Sequence, residues 1–164
     1  MRRGKRVKKG ALVLRSARLL NDDQELLANS VGRVSGSDGS MVSVRWLGYP
    51  KRPRIPVALR SLKSLDGQAG RFDAVLDSIA RIRWLFLRIK NGDPPHLHKA
   101  AICNRLRGVR DQVKSICPEA EGKVKLAVEN FNSFCETEKP DFADWFMEDL
   151  SDIIKAMPWI AVVG

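Results

Sequence analysis

The stretch that decides the fold of this chain is VGRVSGSDGSMVSVRWL, residues 31–47. Its second half alternates apolar with other residues, so that Val44 and Trp46 lie on one face of an extended strand. The dipeptide Asp38-Gly39 separates the two halves, and this pair favours the positive φ angles of a tight turn. The stretch therefore predicts an antiparallel β-hairpin, and packing of Trp46 in a core is favoured over stacking on a base.

Short β-type segments surround this hairpin. Residues 11–17, ALVLRSA, predict a strand before it. Residues 48–54, GYPKRPR, contain two prolines and three cations and predict a loop. Residues 55–58 predict an edge strand, because Pro56 lacks only an N–H group that an edge does not need. Residues 59–65 predict a helical turn followed by a last strand.

The apolar period changes to that of an α-helix beyond the small, polar boundary at residues 66–70. Apolar residues then recur every three or four positions in four successive segments. They predict helices over residues 71–90, 98–116 and 119–134, and a fourth that begins near Pro140 and ends before Pro158. The remaining residues predict a short apolar tail.

The charge of the chain is distributed unevenly. The formal net charge is +10, and residues 1–67 carry 15 Lys/Arg against 5 Asp/Glu. Residues 68–118 carry 10 against 4, whereas residues 119–164 carry 4 against 10. A basic front of this kind attracts polyanions, of which nucleic acid is the commonest and an anionic membrane surface the second. The alternative is that the positive charge only keeps the protein soluble.

The order of the predicted strands is that of a small SH3-like barrel. Residues 8–14, KKGALVL, with Gly10 before the first strand, resemble the lead-in to the KOW-type barrels of ribosomal and transcription-elongation proteins. Gly32 in VGRV takes the place of the glycine that opens the second strand of those barrels, and VSV at residues 42–44 follows in the third. The resemblance covers roughly residues 8–66 and implies a nucleic-acid or ribonucleoprotein role, although a fold alone does not fix a function.

These patterns together predict an α+β protein. Residues 1–9 are too polar to bury apolar surface and predict a basic flexible arm. Residues 10–66 predict the SH3-like β-barrel, residues 67–70 a linker, and residues 71–164 a helical bundle of about four helices.

The basic arm and the loop after the third strand are the predicted nucleic-acid contacts, since both can lie on one rim of such a barrel. Lysine and arginine there would contact phosphates, and Tyr49 would stack on an unpaired base. Nothing in the sequence indicates base-specific readout, so backbone contacts are expected to dominate. The predicted contacts are Arg2, Arg3, Lys5, Arg6, Lys8, Lys9, Arg45, Tyr49, Lys51, Arg52 and Arg54.

The last helix combines a large apolar face with many carboxylates, and two interpretations remain open. It either closes the helical bundle or docks into a groove of another protein or another copy. In the second case the partner-binding residues are Phe142, Trp145, Phe146 and Leu150. The arginines of the first two helices likewise either lie on solvated faces or extend the surface that binds a polyanion.

Enzymatic chemistry is not expected. His96 and His98 precede Cys103, but no further ligand stands at a spacing typical of a metal site. No glycine-rich phosphate loop and no Ser-His-Asp grouping with motif context is present, so neither a cofactor nor a metal is predicted. We expect a non-enzymatic, sequence-tolerant RNA- or DNA-binding protein whose helical half serves docking or dimerisation. The alternative is a protein-interaction or structural subunit, such as a viral particle component or a host-factor inhibitor, that acts through the acidic last helix.

Cysteine usage and hydropathy bear on the compartment. The three cysteines are odd in number and lack a CxxC spacing, which predicts reduced thiols in a cytoplasmic compartment, with the nucleus or a virion as alternatives. No uncharged apolar run is long enough to cross a membrane, and no secretory signal pattern is present, so membrane insertion is not expected.

Overall fold

The computed structural model of the chain describes residues 7–15, 30–47, 55–65 and 67–162. The chain divides into two compact units. We call residues Met1–Arg71 with Pro158–Gly164 the sheet unit, and Phe72–Met157 the helical unit. The predicted mixed α+β class is confirmed, because the sheet unit holds a six-stranded antiparallel sheet and four helices follow.

The first five strands of the sheet lie close to their predicted positions, and a sixth follows near the end of the chain. They are β1 (Leu12–Arg15), β2 (Val31–Asp38), β3 (Met41–Trp46), β4 (Ile55–Ala58), β5 (Leu62–Ser64) and β6 (Ile160–Ala161), and their order across the sheet is β4-β3-β2-β1-β5-β6. A 3₁₀ turn over Leu59–Ser61 precedes β5, as expected. Val13, Val42 and Val44 have no exposed surface and Trp46 is 4% exposed, so the period-two face forms the core of the sheet unit.

The turn between β2 and β3 differs from the prediction by one residue. Asp38 pairs with Met41, so the two central residues are Gly39 and Ser40 rather than Asp38 and Gly39. Gly39 has φ +60°, whereas Ser40 is not among the described residues with positive φ. A glycine at the first central position, followed by a residue of negative φ, is the pattern of a type II′ turn, which suits the twist of a hairpin.

A sixth strand extends the sheet at the end of the chain, where the sequence predicted only a tail. Ile160 pairs with Ser64 and Ala161 with Lys63, so β6 lies on the outer side of β5. The amide of Val162 then donates to the carbonyl of Leu62 at 3.3 Å. A strand of two residues shows no hydrophobic period, so only its long-range pairing reveals it.

The four helices agree with the predicted segments. They are α1 (Ala69–Lys90), α2 (Lys99–Ile116), α3 (Glu121–Thr137) and α4 (Pro140–Lys155). Short 3₁₀ turns, Pro95–Leu97 and Pro118–Ala120, lead into α2 and α3. The described residues include no helix long and apolar enough to cross a membrane.

A cluster of four phenylalanine rings forms the centre of the helical unit. Phe86 of α1 contacts Phe131 and Phe134 of α3, with ring centroids 6.2 and 5.3 Å apart. Phe146 of α4 lies 4.8 Å from the ring of Phe86 and 5.2 Å from that of Phe131. Most of these pairs are edge-to-face, the geometry that aromatic quadrupoles favour. α2 adds a buried row of apolar side chains, Ile102, Leu106, Val109 and Val113.

Arg83 departs from the expected solvated face of α1, because its side chain is 4% exposed. Its Nη2 donates to the Oγ of Ser151 on α4 at 2.8 Å. Neighbouring Arg81 and Arg88 are exposed, and their guanidinium carbons lie 4.2 and 5.2 Å from the ring centroid of Trp84. One arginine of α1 therefore joins two helices of the core.

Asp149 is a buried carboxylate between α3 and α4, with 7% of its surface exposed. The Nδ2 of Asn130 donates to its Oδ2 at 2.6 Å. Burial raises the pKa of Asp149, the nearby charges of Asp152 and Glu148 raise it further, and the hydrogen bond from Asn130 lowers it. The carboxylate form therefore costs free energy in the folded state.

Replacing Asp149 with asparagine is expected to stabilise the protein at neutral pH. The pKa of Asp149 in the folded state lies above the unfolded value of about 3.9. Protonation of Asp149 therefore stabilises the fold fully at pH values below the unfolded pKa, and this contribution is lost as the pH rises through the folded-state pKa. Asp149→Asn stays neutral and can still accept from Asn130, so we expect a gain of about 1 kcal/mol at pH 7 that disappears at lower pH. Urea unfolding at acidic and neutral pH measures it, with exposed Asp141→Asn as the control. A loss of stability at pH 7 would contradict it.

Candidate nucleic-acid interface

Three of the predicted nucleic-acid contacts lie among the described residues: Lys8, Lys9 and Arg45, all exposed. The others, Arg2, Arg3, Lys5, Arg6, Tyr49, Lys51, Arg52 and Arg54, lie outside the described residues. The site is therefore built from the start of β1 and the hairpin of β2 and β3.

A turn at residues 8–11 carries the two lysines onto the hairpin. The amide of Ala11 donates to the carbonyl of Lys8 at 3.0 Å, and Gly10 has φ +88°, a conformation that favours glycine. The amide of Gly10 donates to the carbonyl of Val34 at 2.7 Å, and the amide of Val34 donates back to Ala11 at 2.9 Å. This pairing holds the backbone that bears Lys8 and Lys9 beside β2.

Arg33 joins this turn to the hairpin. Its Nη1 donates to the carbonyl of Gly10 at 3.1 Å, so the guanidinium lies against the turn that follows the two lysines. On β3, Arg45 is the direct partner of Arg33 in the antiparallel register. Directly opposed residues point to one face of a sheet with Cβ atoms about 4.5–5.5 Å apart. The two arginines are therefore neighbours on that face.

A β-bulge in β2 creates this arginine pair. From the turn, Ser37 pairs with Val42 and Gly36 with Ser43, but Val34 pairs with Val44 because the register shifts between Val34 and Gly36. The Oγ of Ser35, at the bulge, donates to the carbonyl of Ser43 at 3.1 Å. A regular hairpin would place Arg33 opposite Trp46, on the face that forms the core. The extra residue instead turns Arg33 onto the face of Arg45.

Sequence reasoning missed Arg33, although the residue stands in the stretch that decided the fold. The sequence offered one signal, because Arg33 and Arg45 stand at similar distances from the turn. Their pairing depends on the bulge, however, which the sequence did not reveal. Lys63 of β5 points to the same side of the sheet, because its partner on β1 is Leu14 and the partner of Arg33 is Leu12. Both leucines are buried, so Lys63 is separated from the arginine pair.

The electrostatics of this cationic face, which we define as Lys8, Lys9, Arg33 and Arg45, favour an anionic ligand. Among the described residues, no carboxylate forms an ion pair with either lysine of the turn or with Arg45. The guanidinium group of arginine suits the oxygens of a phosphate geometrically, so the neighbouring arginines can bind an anion.

The four predicted partner-binding residues lie on different sides of α4. Phe146 and Leu150 have no exposed surface and belong to the core of the helical unit. Phe142 is half-buried and Trp145 is 49% exposed. Of the four, only these two can contact a partner, because a side chain inside the core presents no surface to one.

The histidines and cysteines show local structural contacts. The Nε2 of His98 lies 2.8 Å from the Oδ2 of Asp93, and the Nε of Arg88 donates to the same oxygen at 3.1 Å. The hydrogen bonds from His98 and Arg88 hold the pKa of Asp93 below its usual value. Burial raises the pKa of the Cys117 thiol, and Glu119 raises it further. Within the described ranges, no group of three or more His, Cys, Asp or Glu could hold a metal ion.

No protein-family model, no curated protein and no solved structure matches this chain. Its function is therefore inferred from the geometry and charge of its own surfaces.

Proposed function

We propose that the sheet unit binds RNA or DNA through the phosphate backbone, without a strong sequence preference and without catalysing a reaction. The observation that carries the proposal is the opposition of Arg33 and Arg45 on one face, beside the turn of Lys8 and Lys9. Exposed lysine and arginine side chains at this spacing can contact successive phosphates, and each contact releases counterions.

The strand order supports an SH3-like barrel as the scaffold of this site. In β4-β3-β2-β1-β5, the first four strands of the chain form a meander and the fifth returns beside the first, as in SH3-like barrels. The bulge in β2 supports the same proposal, because bulges bend a strand and increase its twist. Lys51, Arg52 and Arg54, which follow β3 in the sequence, add three further cations to the proposed nucleic-acid contacts.

Replacing Arg45 with glutamine is expected to weaken nucleic-acid binding. Losing one phosphate contact lowers the slope of log affinity against log salt by about 0.7 for a single strand, which corresponds to about eightfold weaker binding at 50 mM salt. Fluorescence anisotropy of labelled oligonucleotides in a salt titration measures this effect, and urea unfolding checks that the variant is folded.

The matched control is Lys125→Gln, which removes an exposed positive charge from α3 and should leave affinity unchanged. Oligonucleotides of different sequence should bind the wild-type chain within about threefold of one another, since phosphate contacts carry no direct sequence information. Absence of oligonucleotide binding at low salt would overturn the proposal. Equal losses in Arg45→Gln and Lys125→Gln would overturn the assignment of the site.

A further inference from the structure

The outer face of the hairpin continues beyond the arginine pair, onto a part of the sheet that the phosphate contacts do not use. Along β3, Met41, Ser43 and Arg45 point to this face, because Val42 and Val44, which alternate with them, have no exposed surface and belong to the core. Met41 is 42% exposed, and it stands about 13 Å from Arg45 along the strand. The outer face of β3 therefore has a charged end and an apolar end.

Short side chains occupy the row between these two ends. In the register of the sheet, Ser43 lies between Gly36 of β2 and Pro56 of β4. A Cβ atom added to Gly36 would meet nothing within 4 Å, so the space above this row is open. Ser43 is half-buried and Pro56 is exposed. We call Gly36, Ser43 and Pro56 the trough, because longer side chains stand on both sides of it.

Charge is separated across the trough. Arg33 and Arg45 lie on one side of it, whereas Asp38, the direct partner of Met41 and exposed like it, lies on the other. A phosphate is attracted to the arginines and repelled by the carboxylate. A nucleotide on this face therefore keeps its phosphate at the arginine pair and directs its uncharged base toward Met41. The thioether of methionine makes favourable contacts with aromatic rings, and a base is such a ring.

We infer that the trough receives one unpaired base of the nucleic acid whose phosphate contacts the arginine pair, so that the sheet unit selects single strands over duplexes. This inference rests on the nucleic-acid binding proposed above and adds the class of nucleic acid to it. A base inside a duplex must first be unpaired and unstacked before it can lie on a protein surface, which costs free energy. Contact with the face of a ring tolerates any sequence, because every base has such a face.

Probes with and without accessible bases test the inference on the full chain. Three labelled probes of equal length are a mixed-sequence single strand, the same strand made abasic throughout, and the duplex. Fluorescence anisotropy at one low salt concentration gives their affinities. We expect the intact single strand to bind about fivefold more tightly than the abasic strand. It should also bind more tightly than the duplex, although the duplex has the higher density of phosphate charge.

Variants of the trough separate base contact from phosphate contact. Gly36→Val fills the open space, so it should bind the intact strand no better than the abasic strand and keep the wild-type affinity for the abasic strand. Met41→Ala should weaken binding of the intact strand about threefold and leave that of the abasic strand unchanged. The matched control is Ser37→Val, which places the same side chain on the opposite face of β2 and should change neither affinity. Hydrogen exchange of the β2 and β3 amides checks that each variant is folded.

The outcomes distinguish this inference from the proposal on which it rests. Tighter binding of the duplex than of the single strand, or equal effects of Gly36→Val on the intact and abasic strands, would overturn the assignment of the trough and leave the phosphate contacts of the cationic face standing. Failure of the wild-type chain to bind any of the three probes would overturn nucleic-acid binding itself.

Discussion

Replacing Phe146 with alanine is expected to lower the free energy of unfolding of the helical unit by about 3–5 kcal/mol. The side chain is fully buried and lies between the rings of Phe86 and Phe131, at 4.8 and 5.2 Å. Its removal loses the transfer free energy of the ring and leaves a cavity among side chains from three helices, which can collapse only in part. Urea unfolding followed by circular dichroism measures the loss.

Trp145→Ala is the matched control, because the two residues are adjacent and both are large aromatics. The exposed tryptophan should change stability by only about 0.5 kcal/mol. Comparable losses of stability in the two variants would contradict the assignment of one side of α4 to the core and the other to the surface.

Replacing Gly32 with alanine is expected to destabilise the sheet unit by about 3 kcal/mol. A Cβ atom at this position would lie 2.7 Å from the carbonyl oxygen of Arg45 and 3.0 Å from the ring of Trp46, and would also overlap a methyl group of Val44. The clash with Arg45 involves backbone, so it cannot be relieved by a rotamer change. Hydrogen exchange of the β2 and β3 amides measures the loss in the sheet unit directly.

Gly36 offers a control on the same strand, since a Cβ atom there would meet nothing within 4 Å and its φ is not positive. Gly36→Ala should therefore leave exchange protection within about 0.5 kcal/mol of the wild type. Unchanged exchange protection in Gly32→Ala would contradict this prediction, because it would show that the sheet tolerates a side chain where β3 approaches β2. If Gly32→Ala weakens nucleic-acid binding as well as the fold, the hairpin also positions Arg45 for binding.

The helices could be predicted because a helix that packs on one side repeats its apolar residues locally. The spacing of Ile102, Leu106, Val109 and Val113 predicted α2, and all four side chains are buried in the structure. Arg83 could not be assigned in this way, because its burial depends on Ser151, 68 residues later in the chain. The last helix also carried too many apolar residues for the sequence to separate Phe146 from Trp145.

The amino-acid sequence by itself determined the mixed α+β class, the order of the strands and helices, and the concentration of positive charge in the first part of the chain, since these follow from local periodicity and composition. Tertiary structure alone decided that Arg33 lies opposite Arg45. Shifting the register of a strand by one residue moves every side chain to the other face, and the bulge at Ser35 makes that shift in β2. The pairing of β6 with β5 was decided in the same way, because two residues acquire a strand conformation only from the partner that they contact.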